Sequence, residues 1–130
     1  MIKSIDHIVL TAQNIEQTIT FYCDVLEMQL ETFSPPDGSR ARQALKFGNQ
    51  KINLHDAKAP YVPHAKNPTS GAIDICFLSD LYIQEWIKRF GSHNIPIENG
   101  QVQKTGATGP LMSIYVRDPD GSLIEISNQI

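Results

Sequence analysis

Three ionisable residues, His7, Asp74 and Glu125, stand inside short segments that alternate in polarity. Asp74 lies between Ile73 and Ile75, and Glu125 lies between Ile124 and Ile126. His7 opens the run Ile8-Val9-Leu10. Alternation with period two is the mark of a strand, so these polar groups share a face opposite an apolar one. A solvated face would account for Lys51 and Arg117 in the neighbouring segments. It accounts less well for an imidazole and two carboxylates set among β-branched residues. Two carboxylates offset the charge of a divalent ion and an imidazole adds a borderline nitrogen ligand, so the trio is a candidate metal site.

Other side chains on the same polar faces extend that chemistry. In 51–55, Lys51, Asn53 and His55 oppose Ile52 and Leu54. His55 has three readings open to it: metal ligand, proton shuttle or surface histidine. An unperturbed imidazole titrates near neutrality and suits the second. Arg42 offers a planar fork for a carboxylate or phosphate, or a purely structural partner. In 111–117, Ser113 and Tyr115 oppose Met112, Ile114 and Val116, beside the strand of Glu125, where they can orient a substrate oxygen. His64 and His93 read as loop residues. Trp86 keeps helical spacing with Leu81, Ile83 and Phe90, which places it in a core.

The elements needed to position these groups follow in order along the chain. A strand over 5–11 leads to Asn14, which with Gln17 makes a capping pair for a helix carrying Ile15, Ile19, Tyr22 and Leu26. A short strand over 29–33, the turn Pro35-Pro36-Asp37-Gly38, and a hairpin of 41–47 with 51–55 complete β-α-β-β-β. Residues 57–70, rich in Pro, Ala and Asn, form a linker or a loop lying over something. The order then repeats. It runs as a strand over 72–78, a helix capped by Ser79 or Asp80 and ended by Gly91, a strand over 95–103, and a hairpin of 111–117 with 122–127 around Asp118-Pro119-Asp120-Gly121. Lys104 to Gly109 reads as a mobile loop over the site. The fold class is therefore α+β, as two βαβββ modules, about 1–57 and 71–130, joined by a linker in one domain. Each helix covers one face of its sheet, leaving the polar face to line a cavity.

Bulk properties narrow the partners. The chain has 130 residues and a formal charge of −3, with no basic stripe for nucleic acid. No apolar run approaches the ~20 residues that cross a bilayer, and the amino terminus lacks the layout of a signal peptide. Cys23 and Cys76, in no metal or redox spacing, are expected as reduced thiols in a cytoplasmic protein.

Two ends of the chain resemble one family. Ile5-Asp6-His7-Ile8-Val9-Leu10 with Phe21-Tyr22 and Val25-Leu26-Glu27-Met28 is similar to the opening of the vicinal oxygen chelate superfamily, and Tyr115 to Gly121 with Leu123-Ile124-Glu125-Ile126 is similar to its closing hairpin. The superfamily includes glyoxalase I, methylmalonyl-CoA epimerase, fosfomycin-resistance proteins and extradiol dioxygenases. Within it, Phe47-Gly48, Lys51 to His55, Lys104-Thr105-Gly106-Ala107 and Gly109-Pro110 resemble the glyoxalase domain-containing protein 5 group. Members usually carry Gly where this chain has Glu27.

The resemblance implies the glyoxalase/bleomycin-resistance/dioxygenase fold. It carries the family's metal ligands onto His7, Asp74 and Glu125, with Asp74 replacing a frequent histidine. The fourth ligand, a glutamate in glyoxalase I, falls near Asn53 or His55. The implied function is a metal-dependent lyase or isomerase using Zn, Ni, Mn or Fe on a small molecule that chelates the ion through two oxygens. Glu125 and His55 are then the candidate catalytic groups, Arg42, Ser113 and Tyr115 the substrate contacts, and the protein a homodimer. A dioxygenase, or a metal-free drug- or metabolite-binding protein of the same fold, are the alternatives.

Overall fold

The structure is a computed structural model describing residues 1–130. It consists of two compact units, Met1–Ser70 and Gly71–Ile130.

In the first unit, strand β1 (His7–Ala12) is followed by helix α1 (Ile15–Ile19), which continues as π-helical turns through Thr20–Val25. Asn14 caps α1, its side chain accepting from the Gln17 amide at 3.0 Å. Strands β2 (Gln29–Phe33), β3 (Arg42–Phe47) and β4 (Gln50–Asp56) complete the sheet in the order β1-β4-β3-β2. β1 runs parallel to β4, and the other pairs are antiparallel. Leu10, Leu45, Ile52 and Leu54 on one sheet face, and Phe21, Tyr22 and Val25 on the helix, are all buried. Each such side chain contributes roughly 1.5–3 kcal/mol on leaving water. Glu27 sits in the left-handed region at φ 63°, a conformation that glycine adopts most readily.

The second unit repeats the plan with β5 (Asp74–Leu78), helix α2 (Ile83–Ser92), β6 (Asn99–Thr105), β7 (Pro110–Arg117) and β8 (Leu123–Gln129), ordered β5-β8-β7-β6. Ile114, Val116, Ile124 and Ile126 are buried, as are Ile83, Trp86 and Phe90 on the helix.

Helix α2 begins later than its sequence suggests. Ser79 Oγ accepts instead from the Leu81 amide at 3.0 Å and from Trp86 Nε1 at 2.7 Å. The cap on the helix comes from β8, where Asn128 Oδ1 accepts from the Ile83 amide at 2.8 Å. Nor is 104–109 a long loop. Lys104 and Thr105 end β6, and the Gly106 amide donates to the Gly109 carbonyl at 2.8 Å in a tight turn.

Candidate functional site

The strand registers of the two modules are the same. In the first, His7 pairs with Lys51, Val9 with Asn53 and Thr11 with His55. In the second, Asp74 pairs with Leu123, Cys76 with Glu125 and Leu78 with Ser127. His7 therefore corresponds to Asp74, Asn53 to Glu125 and His55 to Ser127. The third strand follows suit. Ala44 faces Asn53, and Tyr115 faces Glu125. Continuing the first of these registers sets Arg42 opposite His55, as Ser113 is set opposite Ser127. The place equivalent to Glu125 thus belongs to Asn53, an amide, and His55 stands one step beyond it.

In the second module Glu125 is held by its neighbours. Ser113 Oγ donates to Glu125 Oε2 at 2.6 Å, and Ser127 Oγ lies 3.2 Å from the same oxygen. The two serines are 2.7 Å apart and fully buried. Tyr115 adds its phenol. Burial, together with the hydrogen bond to Glu125 and that carboxylate's charge, pushes its pKa up to about 12. The phenol consequently stays protonated at neutral pH and donates. Cys76, 3.2 Å from Ser127 Oγ, is also held as a thiol, chiefly by burial. Asp74 is exposed on the same face, one diagonal from Glu125.

In the first module His7 is exposed and its Nδ1 meets Asp6 Oδ1 at 2.7 Å. That contact lowers the Asp6 pKa. His55 lies four rungs along from His7, about 13 Å at the usual strand rise, so these two expected ligands are not brought together. His55 is instead buried, with its ring edge-on to Tyr61 at 5.2 Å between centroids. Burial, and then the charges of Arg42 and His64, hold its pKa below the ordinary imidazole value. Arg42 Cζ lies 4.1 Å from the Tyr61 ring centre and Arg40 Cζ 4.5 Å. Tyr61 is anchored by its hydroxyl, which donates to the Ala41 carbonyl at 3.1 Å.

Of the residues singled out in the sequence, Glu125, Ser113 and Tyr115 form one connected group, while Arg42 and His55 form another with Tyr61. Tyr61 and Ser127 were not expected there. Tyr61 sits in the segment without apolar period, where no pattern marks an aromatic that folds back onto a strand.

No cluster of three His, Cys, Asp or Glu side chains poised for an ion occurs within either module. The donors present are nonetheless prepared for one in kind. A ligating imidazole usually hands its other nitrogen to a carboxylate, as His7 does to Asp6, and ligating carboxylates are themselves hydrogen-bonded, as Glu125 is.

A family model for the Glyoxalase/Bleomycin resistance protein/Dioxygenase superfamily matches residues 4–126. The chain belongs to that superfamily. It is 45% identical to Virulence protein STM3117 of Salmonella typhimurium over all of this chain and 87% of that one. The crystal structure of that protein superimposes with a TM-score of 0.89, covering 100% of this chain and 99% of the other. The chain is also 42% identical to the Glyoxalase domain-containing protein RDO1 of Mycosarcoma maydis, over 98% of this chain and 69% of that one. A lactoylglutathione lyase from Agrobacterium tumefaciens is 27% identical, with a TM-score of 0.69 over 96% of this chain and 92% of its own. The βαβββ modules read from the sequence are the superfamily's fold. No helix is long and apolar enough to cross a membrane.

Proposed function

We propose that this superfamily member is a metal-dependent lyase or isomerase acting on a small oxygen-bearing substrate, with His7, Asp74 and Glu125 as the groups that hold a divalent ion. The observation that carries the reading is Glu125, a carboxylate fixed by Ser113, Ser127 and Tyr115 at the place where the family's closing strand bears its ligand. A bound Zn, Ni, Mn or Fe ion would polarise substrate oxygens and stabilise developing negative charge. The chain's own residues do the rest. Ser113 and Ser127 keep one carboxylate oxygen of Glu125 engaged. The Tyr115 phenol, its one proton donated to Glu125, has an oxygen lone pair left to accept from a substrate hydroxyl. His55, neutral near pH 7, is suited to taking and returning a proton.

In this reading the two modules make up one domain, the protein works as a homodimer, and its unpaired cysteines suit a cytoplasmic location. Light scattering at micromolar concentration is expected to return the dimer mass, and a monomer mass would contradict the pairing. Elemental analysis of protein purified without added metal or chelator should find a divalent ion near one per chain. A metal-free preparation that still binds drug-like ligands would favour the alternative, a sequestering protein of the same fold. Activity is expected to depend on added ion. With the glutathione hemithioacetal used by lactoylglutathione lyases it should be weak, because Asn53 stands where the first module would need a second carboxylate.

A further inference from the structure

The first module holds three buried polar atoms without hydrogen-bond partners on one patch of one face: Arg42 Nε, Asn53 Oδ1 and His55 Nδ1. His55 is 3% exposed and Asn53 9%, so bulk water does not satisfy them. Such groups cost free energy when buried unpaired, and native structures keep few of them. Here they are neighbours by register. Asn53 and His55 are alternate residues of β4, and Arg42 is on β3, opposite His55. Their types are complementary. Arg42 Nε–H is a charged donor whose guanidinium carbon lies 4.1 Å from the Tyr61 ring centre, and Asn53 Oδ1 is an acceptor. The side-on edge of a guanidinium matches a carboxylate. An acceptor one diagonal away asks for a hydroxyl.

We propose that this patch binds a small hydroxycarboxylate, its carboxylate accepting from Arg42 Nε–H and its hydroxyl donating to Asn53 Oδ1, with the His55 ring as the third contact. The proposal rests on the small-molecule reading given above and names the substrate class. It assigns the binding to residues other than His7, Asp74 and Glu125. Tyr61 is the positioning residue. Its ring lies under both guanidiniums and against the His55 ring, and its hydroxyl ties it to the strand through Ala41.

The test uses the full chain freed of metal with chelator, so its outcome is independent of ion binding. Malate, succinate and inorganic phosphate are titrated by calorimetry while the His55 ring resonances are followed by NMR. Malate should bind and shift the His55 signals. Succinate, which lacks only the hydroxyl, should bind about tenfold more weakly, the equivalent of one hydrogen bond. Arg42→Lys keeps the charge but not the fork and should weaken malate at least tenfold.

Asn53→Leu should bring malate down to the level of succinate. It should also raise the melting temperature of the ligand-free protein, because an unpaired buried amide is removed. Failure of malate to bind at millimolar concentration would overturn the proposal. So would unchanged binding by Arg42→Lys, phosphate bound as tightly as malate, or a lower melting temperature for Asn53→Leu. Zn and Mn titrations of the parent, His7→Ala and Glu125→Gln are run without malate, so failure of the metal reading and failure of this one are told apart.

Discussion

Glu125 gains its fixed position from Tyr115 opposite it and from Ser113 and Ser127 two rungs along, rather than from burial alone. A hydrogen bond to a charged group contributes roughly 1.5–3 kcal/mol, somewhat less at this partly exposed site. Ser113→Ala should therefore cost about 1–2 kcal/mol in urea unfolding and lower activity more than substrate affinity, since it frees the carboxylate to move. A loss below ~0.3 kcal/mol with unchanged turnover would show that Ser113 does not position Glu125.

His55 gives a pH signature. Its pKa is lower folded than unfolded, so the unfolded chain takes up its proton first as the solution is acidified. The contribution of neutral His55 is full above the ordinary imidazole value of about 6.5 and is lost as pH falls from there through the folded-state value. Unfolding free energy measured from pH 7.5 to 5 should decline over that window, and His55→Gln should remove that component. Equal slopes in the two proteins would contradict the burial-driven shift.

Much of this was legible in the alternating strands, which put His55, Ser113 and Tyr115 on the faces where they are found. Tyr61 was not. Its role depends on a loop returning over β4, and no local period records such a return.

Among the elements, most strands and their faces follow from period-two alternation, and α1 follows from its Asn14 cap, whereas the strand expected over 95–103 lies instead at Asn99–Thr105. The start of α2 does not. Ser79 and Asp80 are good local caps, but the Ser79 hydroxyl is taken by Leu81 and Trp86. The free amide of Ile83 is met by Asn128, whose Nδ2 also donates to the Ser79 and Leu81 carbonyls at 3.0 and 2.9 Å. A partner 45 residues away in sequence leaves no local trace. Because one amide ties the first amide of α2 and the Ser79 and Leu81 carbonyls just before it to β8, Asn128→Ala should destabilise the protein by about 1–2 kcal/mol, the range of a helix cap. Hydrogen exchange should report the loss in the first turn of α2. Protection there equal to the parent's would assign the cap elsewhere.

At the scale of the whole molecule, the chain is one plan used twice, with register preserved and chemistry divided. The first module places Arg42, Asn53 and His55 where the second places Ser113, Glu125 and Ser127. One face is thus suited to an anion and the other carries a held carboxylate. That division explains why residue identity between the halves is slight while their pattern is the same. Packing against the helix fixes the apolar positions in both, whereas the polar positions are free to diverge with function.

The central claim, a divalent ion held by His7, Asp74 and Glu125, is tested most directly by isothermal titration. The parent, His7→Ala and Glu125→Gln are each titrated with Zn and Mn, with circular dichroism confirming the fold. The parent should bind one ion per chain. Each variant should lose stoichiometric binding while keeping its secondary structure, because the helix-facing residues Leu10, Ile124 and Ile126 are untouched. Equal binding by all three proteins, or none by the parent, would contradict the account.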